Sequence, residues 1–503
     1  MERSQNADAS KVTFEEALDR TGFGLYSYLV VSLAGMIVIA LVCTAFGTNI
    51  IVPTSACELG TTTTQRGMLA GAPVIGLILG GPLWGYLADV WGRRYTLIIS
   101  LLAAAAVNAL ASLSVNWLML MILQFFATFL SAGQFPQAMT IVGESVPMAK
   151  RNISILLVGS IFLLSQGLMA VLAIPIIPLT FSYYLPSLGI YWNSWRTLML
   201  VYCTPSLVCA LWLYFMSESP KFLFAKGREA EAMETLRKIH KLNNLGSNTQ
   251  LQISGGILLE SIERDESKLG KKSKQVAPLF KTPLLKSTII MAILFLFQQI
   301  PAFMIWLPTI SSQFVEILET GEGSNLTLCA IIRKSLDSPP DPDDTCALNV
   351  TSLLIVLVVG AVLSVANVLI SLIVNYTGRR NLAMFMTALC GVCGIVANLI
   401  PNAIASGLVF FIFLLGVVNI GLYTAIAVAL FPTALRTLAV ALILTGHRIG
   451  AFASVQIINQ LFESNCEAAF YVYASIFALS TVVAAFLVDD RKLQTERDDA
   501  TKL

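Results

Sequence analysis

Gly85-Tyr-Leu-Ala-Asp89-Val-Trp-Gly92-Arg93-Arg94 closes one apolar run, and Ser371-Leu-Ile-Val-Asn375-Tyr-Thr-Gly378-Arg379-Arg380 closes another. Gly92 aligns with Gly378 and Arg-Arg with Arg-Arg, with Ser371 and Asn375 where the first copy has Gly85 and Asp89. A second pair of motifs follows in the same order: Glu144-Ser-Val-Pro147 with Arg151, and Ala429-Leu-Phe-Pro432 with Arg436. Motifs recurring in register across a long interval identify an internal duplication. The rest of the chain is read as two halves.

The chain has 503 residues, 56% apolar and only 12% charged. Its mean hydropathy is +0.76. Too few charges remain to cover a soluble surface, so lipid must be the solvent for much of it. A spanning helix needs roughly 20 apolar residues at about 1.5 Å rise each. Such runs fall at Tyr26–Thr48, Met68–Leu87, Tyr95–Leu113, Trp117–Gln137, Ile153–Ile174 and Leu198–Met216 in the first half. The second half has Thr288–Pro308, Thr351–Val374, Leu382–Ile400, Leu408–Leu430, Leu438–Asn459 and Ala468–Val488. They are numbered spans 1 to 12. None alternates with a period of two, and lipid admits only helices or closed barrels. The expected fold class is an all-α membrane protein with twelve transmembrane helices in two pseudo-symmetric six-helix bundles.

Orientation follows from the 32 Lys and Arg residues. With both termini in the cytosol, all of them lie in cytosolic segments except Arg66, Arg196, Arg333 and Lys334 outside and Arg448 inside a span. The expected units are a cytosolic N-terminal segment (1–25), a six-helix bundle (26–216), a central cytosolic loop (217–286), a second six-helix bundle (287–488) and a cytosolic tail (489–503). The second bundle includes an outside loop (311–349), polar and irregular by composition. Short amphipathic helices are expected around Arg228–Leu242, and a Lys-rich stretch follows near Lys268–Lys274. No secretory signal opens the chain, so span 1 can itself direct insertion. The basic residues are spread along the cytosolic face, which argues against nucleic acid as a partner.

Cys57, Cys329, Cys346 and Cys466 all fall outside, the side that permits disulfides. Four cysteines allow three pairings, of which Cys329–Cys346, within one loop, is preferred. Cys390-Gly-Val-Cys393, inside span 9, reads as small-residue packing rather than a redox or metal motif. Asn325-Leu-Thr is the favoured glycosylation sequon; Asn349-Val-Thr abuts span 8, and Asn152 and Asn375 are cytosolic.

The Gly85–Arg94 segment matches the signature loop of the major facilitator superfamily, which it therefore resembles over the whole chain. Ser217-Glu-Ser-Pro220-Lys-Phe-Leu, Gly227-Arg228 and Glu231-Ala232 look like the segment after helix 6 in the superfamily's sugar and organic-ion transporters. Phe14-Glu-Glu-Ala-Leu-Asp, Gly22-Phe-Gly, Trp195-Arg196 and Glu218-Ser-Pro220 resemble the synaptic vesicle glycoprotein 2 family. This chain departs from that subfamily in three places. Span 1 has no acidic pair, the outside loop between spans 7 and 8 is short, and Gln124 stands where many relatives carry an Arg in helix 4. The resemblance implies a major facilitator fold and a cytosolic gate held by Asp89, Arg93 and Glu144, with Arg94, Arg151, Arg379, Arg380 and Arg436 in the matching motif positions. A turn with positive-inside anchors is the alternative reading of the arginines. The second copy lacks both carboxylates.

Arg448 lies near the middle of span 11, where an arginine costs roughly 2.5–3.5 kcal/mol on insertion scales. No Asp or Glu within a span can neutralise it. It can draw an anionic solute into the cleft, or bond to backbone carbonyls and amides such as Asn419; both readings stay open. Gly446 and Gly450 flank it at a spacing that permits close helix approach. His447 beside it can titrate near neutral pH or remain a neutral hydrogen-bonding group. Gln298 and Gln299 resemble amides that sugar transporters use, and Gln124 and Tyr423 complete the candidate solute-binding set.

No phosphate-binding Gly-rich loop is present, and two histidines (His240, His447) assemble neither a metal site nor a triad, so an enzyme is not expected. The leading reading is a transporter of a small organic solute, with an anionic group a candidate, acting by alternating access from a plasma or vesicle membrane. It is expected to be a monomer in the lipid bilayer, without a cofactor. A non-transporting vesicle-type glycoprotein acting through partners and a sugar facilitator are the alternatives.

Overall fold

The computed structural model describes residues 12–245, 257–258, 277–282, 284–320, 325–337, 350–431 and 433–487. Among these, eleven helices are long and apolar enough to cross a membrane. They coincide with spans 1–10 and 12. The expected span 11 lies within one continuous helix, Thr433–Ser464, which carries Arg436, His447 and Arg448 and is not among the eleven. Span 6 begins at Ser194, one turn earlier than the hydropathy suggested, because Arg196 is fully buried rather than solvated.

Four spans are broken near mid-depth, and each opens a group of three. Span 1 is Leu25–Ala45 followed by Thr48–Leu59; span 4 is Trp117–Ser131 followed by Gln134–Ser145. Span 7 runs Leu284–Phe297, then Pro301–Met304, then Leu307–Thr320; span 10 joins Ala403–Leu414 to Asn419–Leu430 through a 3-10 turn, Leu415–Val418. Each break has a local cause. Pro301 has no N–H to give to the preceding turn. At Gly133 an added Cβ would sit 2.4 Å from the Cβ of Trp84, so span 2 presses into the interruption. At Gly416 a Cβ would meet Ile300 at 2.4 Å, so the breaks of spans 7 and 10 pack on each other. Freed backbone groups at membrane depth are tolerated only inside protein or beside a cavity.

The remaining spans are Thr63–Trp91 (2), Arg93–Ala111 (3), Met148–Ala173 (5), Val350–Thr377 (8), Arg379–Val396 (9) and Cys466–Ala485 (12). Gly92 ends span 2 at φ 102° and Gly378 ends span 8 at φ 82°. These signature glycines occupy a region closed to other side chains, which is why the repeat keeps them.

The halves meet along spans 5 and 8 and along spans 2 and 11. The contacts lie toward the outer side. A Cβ at Gly67 would touch Asn459, one at Gly71 would touch Gln456 and Phe452, and one at Gly167 would lie 3.0 Å from the Leu357 backbone. Farther along the same halves a Cβ at Gly85, Gly143 or Gly446 would meet nothing within 4 Å. The halves are thus packed on each other where span 2 begins and span 5 ends.

The outside loop differs from the expectation of irregular chain. The last helix of span 7, Leu307–Thr320, continues into it and Leu328–Asp337 is an amphipathic helix within it, while Pro339, Pro340 and Pro342 lie outside the described residues. The preferred pairing Cys329–Cys346 is also wrong: Cys329 is bonded to Cys466, with Cα atoms 5.6 Å apart. The backbone N–H of Cys329 donates to the Asn398 side chain at 3.0 Å, and Arg333 pairs with Glu467, so the loop helix is held over span 12. Cys57 is disulfide-bonded as well, and Cys346 lies outside the described residues. Asn325 is exposed.

Candidate functional site

In span 11, the Arg448 side chain reaches across the cleft, its Nη1 donating at 3.4 Å to the Leu77 carbonyl of span 2. Gly81, one turn along span 2, leaves the room: a Cβ there would be 3.4 Å from the same nitrogen. A single long bond leaves the other guanidinium donors for additional partners. His447, one residue earlier, turns into its own half, where Nδ1 lies 2.9 Å from the Phe295 carbonyl and the ring packs edge-on against Phe295.

The breaks of spans 7 and 10 bring several candidates together. Gln298 Nε2 donates to the Gly416 carbonyl at 2.8 Å, filling an acceptor freed by the 3-10 turn. Gln299 Nε2 donates to the Leu296 carbonyl at 2.9 Å, and its amide lies against Gly450 of span 11. Both side-chain oxygens are buried without a hydrogen-bond partner, as are both polar atoms of Asn419. Tyr423 is buried with its ring 5.8 Å from Phe295. Buried amide groups of this kind cost about 1–3 kcal/mol each when unsatisfied.

Gln124 lies elsewhere. It is buried inside the first half, donating to Asn108 Oδ1 at 2.9 Å, while Asn108 lies 3.6 Å from the Cys203 sulfur. This polar chain ties spans 3, 4 and 6 together behind the cleft wall.

The signature-loop residues gather at the end of the first half where spans 2, 4 and 6 finish. Arg93 pairs with Asp89 at 3.0 Å and with Glu144 at 3.5 Å, and its guanidinium lies over the Phe222 ring. Glu144 accepts from the Ser219 hydroxyl at 2.5 Å. Arg94 donates to the Leu213 and Tyr214 carbonyls at the end of span 6, and its backbone N–H to Glu218. The repeat preserves this logic, since Arg380 donates to the Ala485 carbonyl at the end of span 12 and Arg379 to that of Ala425. The Arg436 side chain lies outside the described residues.

Arg151 has a partner that the sequence did not suggest. The N-terminal helix Phe14–Asp19 docks under the first half, with Glu15 accepting from Arg151 at 2.5 Å and from Lys221 at 3.1 Å. Asp19 caps span 5 by accepting the Met148 N–H at 2.7 Å, and Phe14 packs on Phe224. Burial raises the Glu15 pKa, but the hydrogen bonds and charges of Arg151 and Lys221 outweigh it and hold the carboxyl below its ordinary value. The clamp therefore stabilises the fold above the unfolded carboxylate pKa and is lost as pH falls through the lower folded value. Glu15→Gln is expected to lower stability by about 1 kcal/mol at neutral pH. Melting curves across the acid range check this: the variant should lose less than the wild type as the carboxylate protonates.

Other polar contacts are visible only in three dimensions. On the outer side Gln456 Nε2 donates to the Gly67 carbonyl at 2.9 Å, and Trp306 donates to Asn459 at 2.8 Å. Gln456 and Asn459, one turn apart, lie against Gly67 and Gly71, one turn apart, and pack span 11 onto span 2. Beside it Glu58 receives Arg196 at 2.6 Å, and Asn193 and Trp195 at 2.7 Å each.

Residues 33–332 match the family model of the Major Facilitator Superfamily. The putative transporter svop-1 of Caenorhabditis elegans is 27% identical over 57% of this chain and 51% of its own length. The synaptic vesicle 2-related protein of Xenopus laevis is 26% identical over 51% of this chain and 43% of its own. Organic cation/carnitine transporter 7 of Arabidopsis thaliana is 26% identical over 51% and 47%. The chain spans about half the length of the curated relatives it matches. Among solved structures, a partially occluded inward-open form of the xylose transporter XylE from E. coli superimposes with a TM-score of 0.64 at 15% identity. That match covers 92% of this chain and 100% of the other. With the family model matching well over half of its residues, and the duplicated twelve-span architecture on both sides of the cleft, this multi-pass membrane protein belongs to the Major Facilitator Superfamily.

Proposed function

We propose that the protein moves a small organic solute across its membrane by alternating access, with Arg448 receiving an anionic group of the solute. The observation that carries the transport reading is the asymmetry of the cleft. Spans 2 and 11 and spans 5 and 8 are in contact at Gly67, Gly71 and Gly167, while a Cβ at Gly85 of span 2 or Gly446 of span 11 would meet nothing within 4 Å. Glycines without neighbours on the open side are the positions where the helices can close when the halves rock. The relatives that carry transporter names support this reading.

The anion reading rests on Arg448 at the seam, bonded to one carbonyl. A carboxylate, sulfate or phosphate would be held strongly in a low-dielectric cleft. Thermal melting of the purified protein with a panel of organic anions tests it. Arg448→Gln should abolish both stabilisation by, and uptake of, the anion that raises the wild-type melting temperature, while Arg448→Lys keeps part of each. If no anion stabilises the wild type and Arg448→Gln simply melts earlier, Arg448 is a structural residue bridging spans 11 and 2. Uptake into liposomes with and without a pH gradient then separates coupled from passive transport.

A further inference from the structure

Between spans 5 and 6 the chain does not turn tightly but forms a β-hairpin, Tyr183–Leu185 paired antiparallel with Ile190–Trp192. Gly189, at φ 65°, supplies the left-handed turn position. No charged residue occurs from Asn152 to Trp195, so the hairpin and both of its stalks are neutral. An ordinary aqueous loop is rich in charge; this one is rich in Tyr, Trp, Leu and Ile.

The hairpin has two unlike faces. Ile190 is buried, and its neighbour on that face, Trp192, donates its indole N–H to Thr197 Oγ1 at 3.0 Å. On the opposite face Tyr184 and Tyr191 are cross-strand partners with ring centroids 5.1 Å apart. They are 56% and 52% exposed, and Leu188 in the turn and Leu179 before it are exposed as well.

The bond from Trp192 to Thr197 fixes where the hairpin sits against span 6. Along span 6 the exposed residues Leu200, Leu207, Leu211 and Phe215 recur at helical spacing, while Trp195, Leu198, Met199 and Tyr202 are buried. That exposed stripe on a membrane-crossing helix faces lipid. Thr197 lies one turn before Leu200 on the same stripe, and Trp192 is tied to it, so the hairpin hangs over the lipid side of the first half.

We infer that the Tyr184–Tyr191 face of this hairpin is seated in the outer headgroup and acyl boundary of the bilayer. It forms an interfacial anchor at the outer ends of spans 5 and 6. The partner is the phospholipid interface itself, where amphipathic tyrosine rings are enriched because one end is apolar and the other wet. Span 5 is one of the helices that bridge the two halves, so the anchor sets the level about which the first half rocks.

The test uses the full chain in liposomes of purified phospholipid. Tyr184→Cys and, separately, Leu188→Cys are labelled with an environment-sensitive fluorophore, with Asn325→Cys in the other outer loop as an exposed control. Expected are blue-shifted emission at 184 and 188, quenching by lipids spin-labelled near the headgroup, and loss of quenching by aqueous iodide, with the reverse at 325. Strong iodide quenching at both hairpin positions in pure lipid would overturn the inference. So would protection seen only in native membranes, which would assign the face to a protein partner.

Discussion

Replacing Glu58 by Ala is expected to destabilise the protein by roughly 3–5 kcal/mol, because it strands a buried charge. Arg196 is fully buried, and its Nη1 already serves the Ser112 carbonyl at 2.6 Å. Among the described residues Glu58 is the carboxylate that pairs with it, at 2.6 Å. The same carboxylate accepts the Trp195 indole and the Asn193 amide, so one truncation unties the outer ends of spans 1 and 6 together. A buried ion pair need not be worth much in itself, but removing one partner leaves the full desolvation cost of the other. The double variant Glu58→Ala/Arg196→Met should therefore recover a large part of the loss. Thermal unfolding of the three proteins in one detergent checks this. A single variant as stable as the wild type would show that water already solvates Arg196.

The second large effect is conformational. Gly167 of span 5 faces the backbone of Leu357 and Gly360 of span 8, so a Leu there cannot be accommodated by moving a side chain aside. Gly167→Leu should pry the outer walls apart while leaving the cytosolic side free to close, where Gly85 and Gly446 have space. A few kcal/mol of clash suffices to invert a two-state population. Transport should fall to background although the protein still folds, because the clash exists in one state only. Solvent-accessibility labelling of an engineered cysteine at Asn459, now in the seal, should rise sharply.

The spans were legible because lipid imposes a simple rule, and the runs of apolar residues obey it. Their interruptions were not. Gly47 and Gly133 sit inside runs whose hydropathy continues unbroken, and only the helix packed against each reveals the break. The Cys329 pairing was misjudged because nearness in sequence was given weight. Each doubling of loop length adds only about 0.6 kcal/mol of closure entropy, so the contacts at Asn398 and Glu467 decide the pairing instead. Among candidate residues, Arg448 at the seam was readable from an uncompensated charge. Gln124 was not placed, since a polar residue in a span can equally bond within its own half, as it does here with Asn108. Glu58 and Glu15 escaped notice because their partners are distant in sequence and each looked like an ordinary loop carboxylate.

Alternating access is tested most directly by paired distances across the cleft. Spin labels at Tyr86 and Tyr376, both exposed, report the cytosolic opening, and labels at Thr64 and Gln460 report the outer seal. In the wild type the cytosolic pair should be far apart and the outer pair close; in Gly167→Leu both should invert together. An outer distance that lengthens while the cytosolic distance stays unchanged would contradict the account, since the halves would then loosen rather than rock.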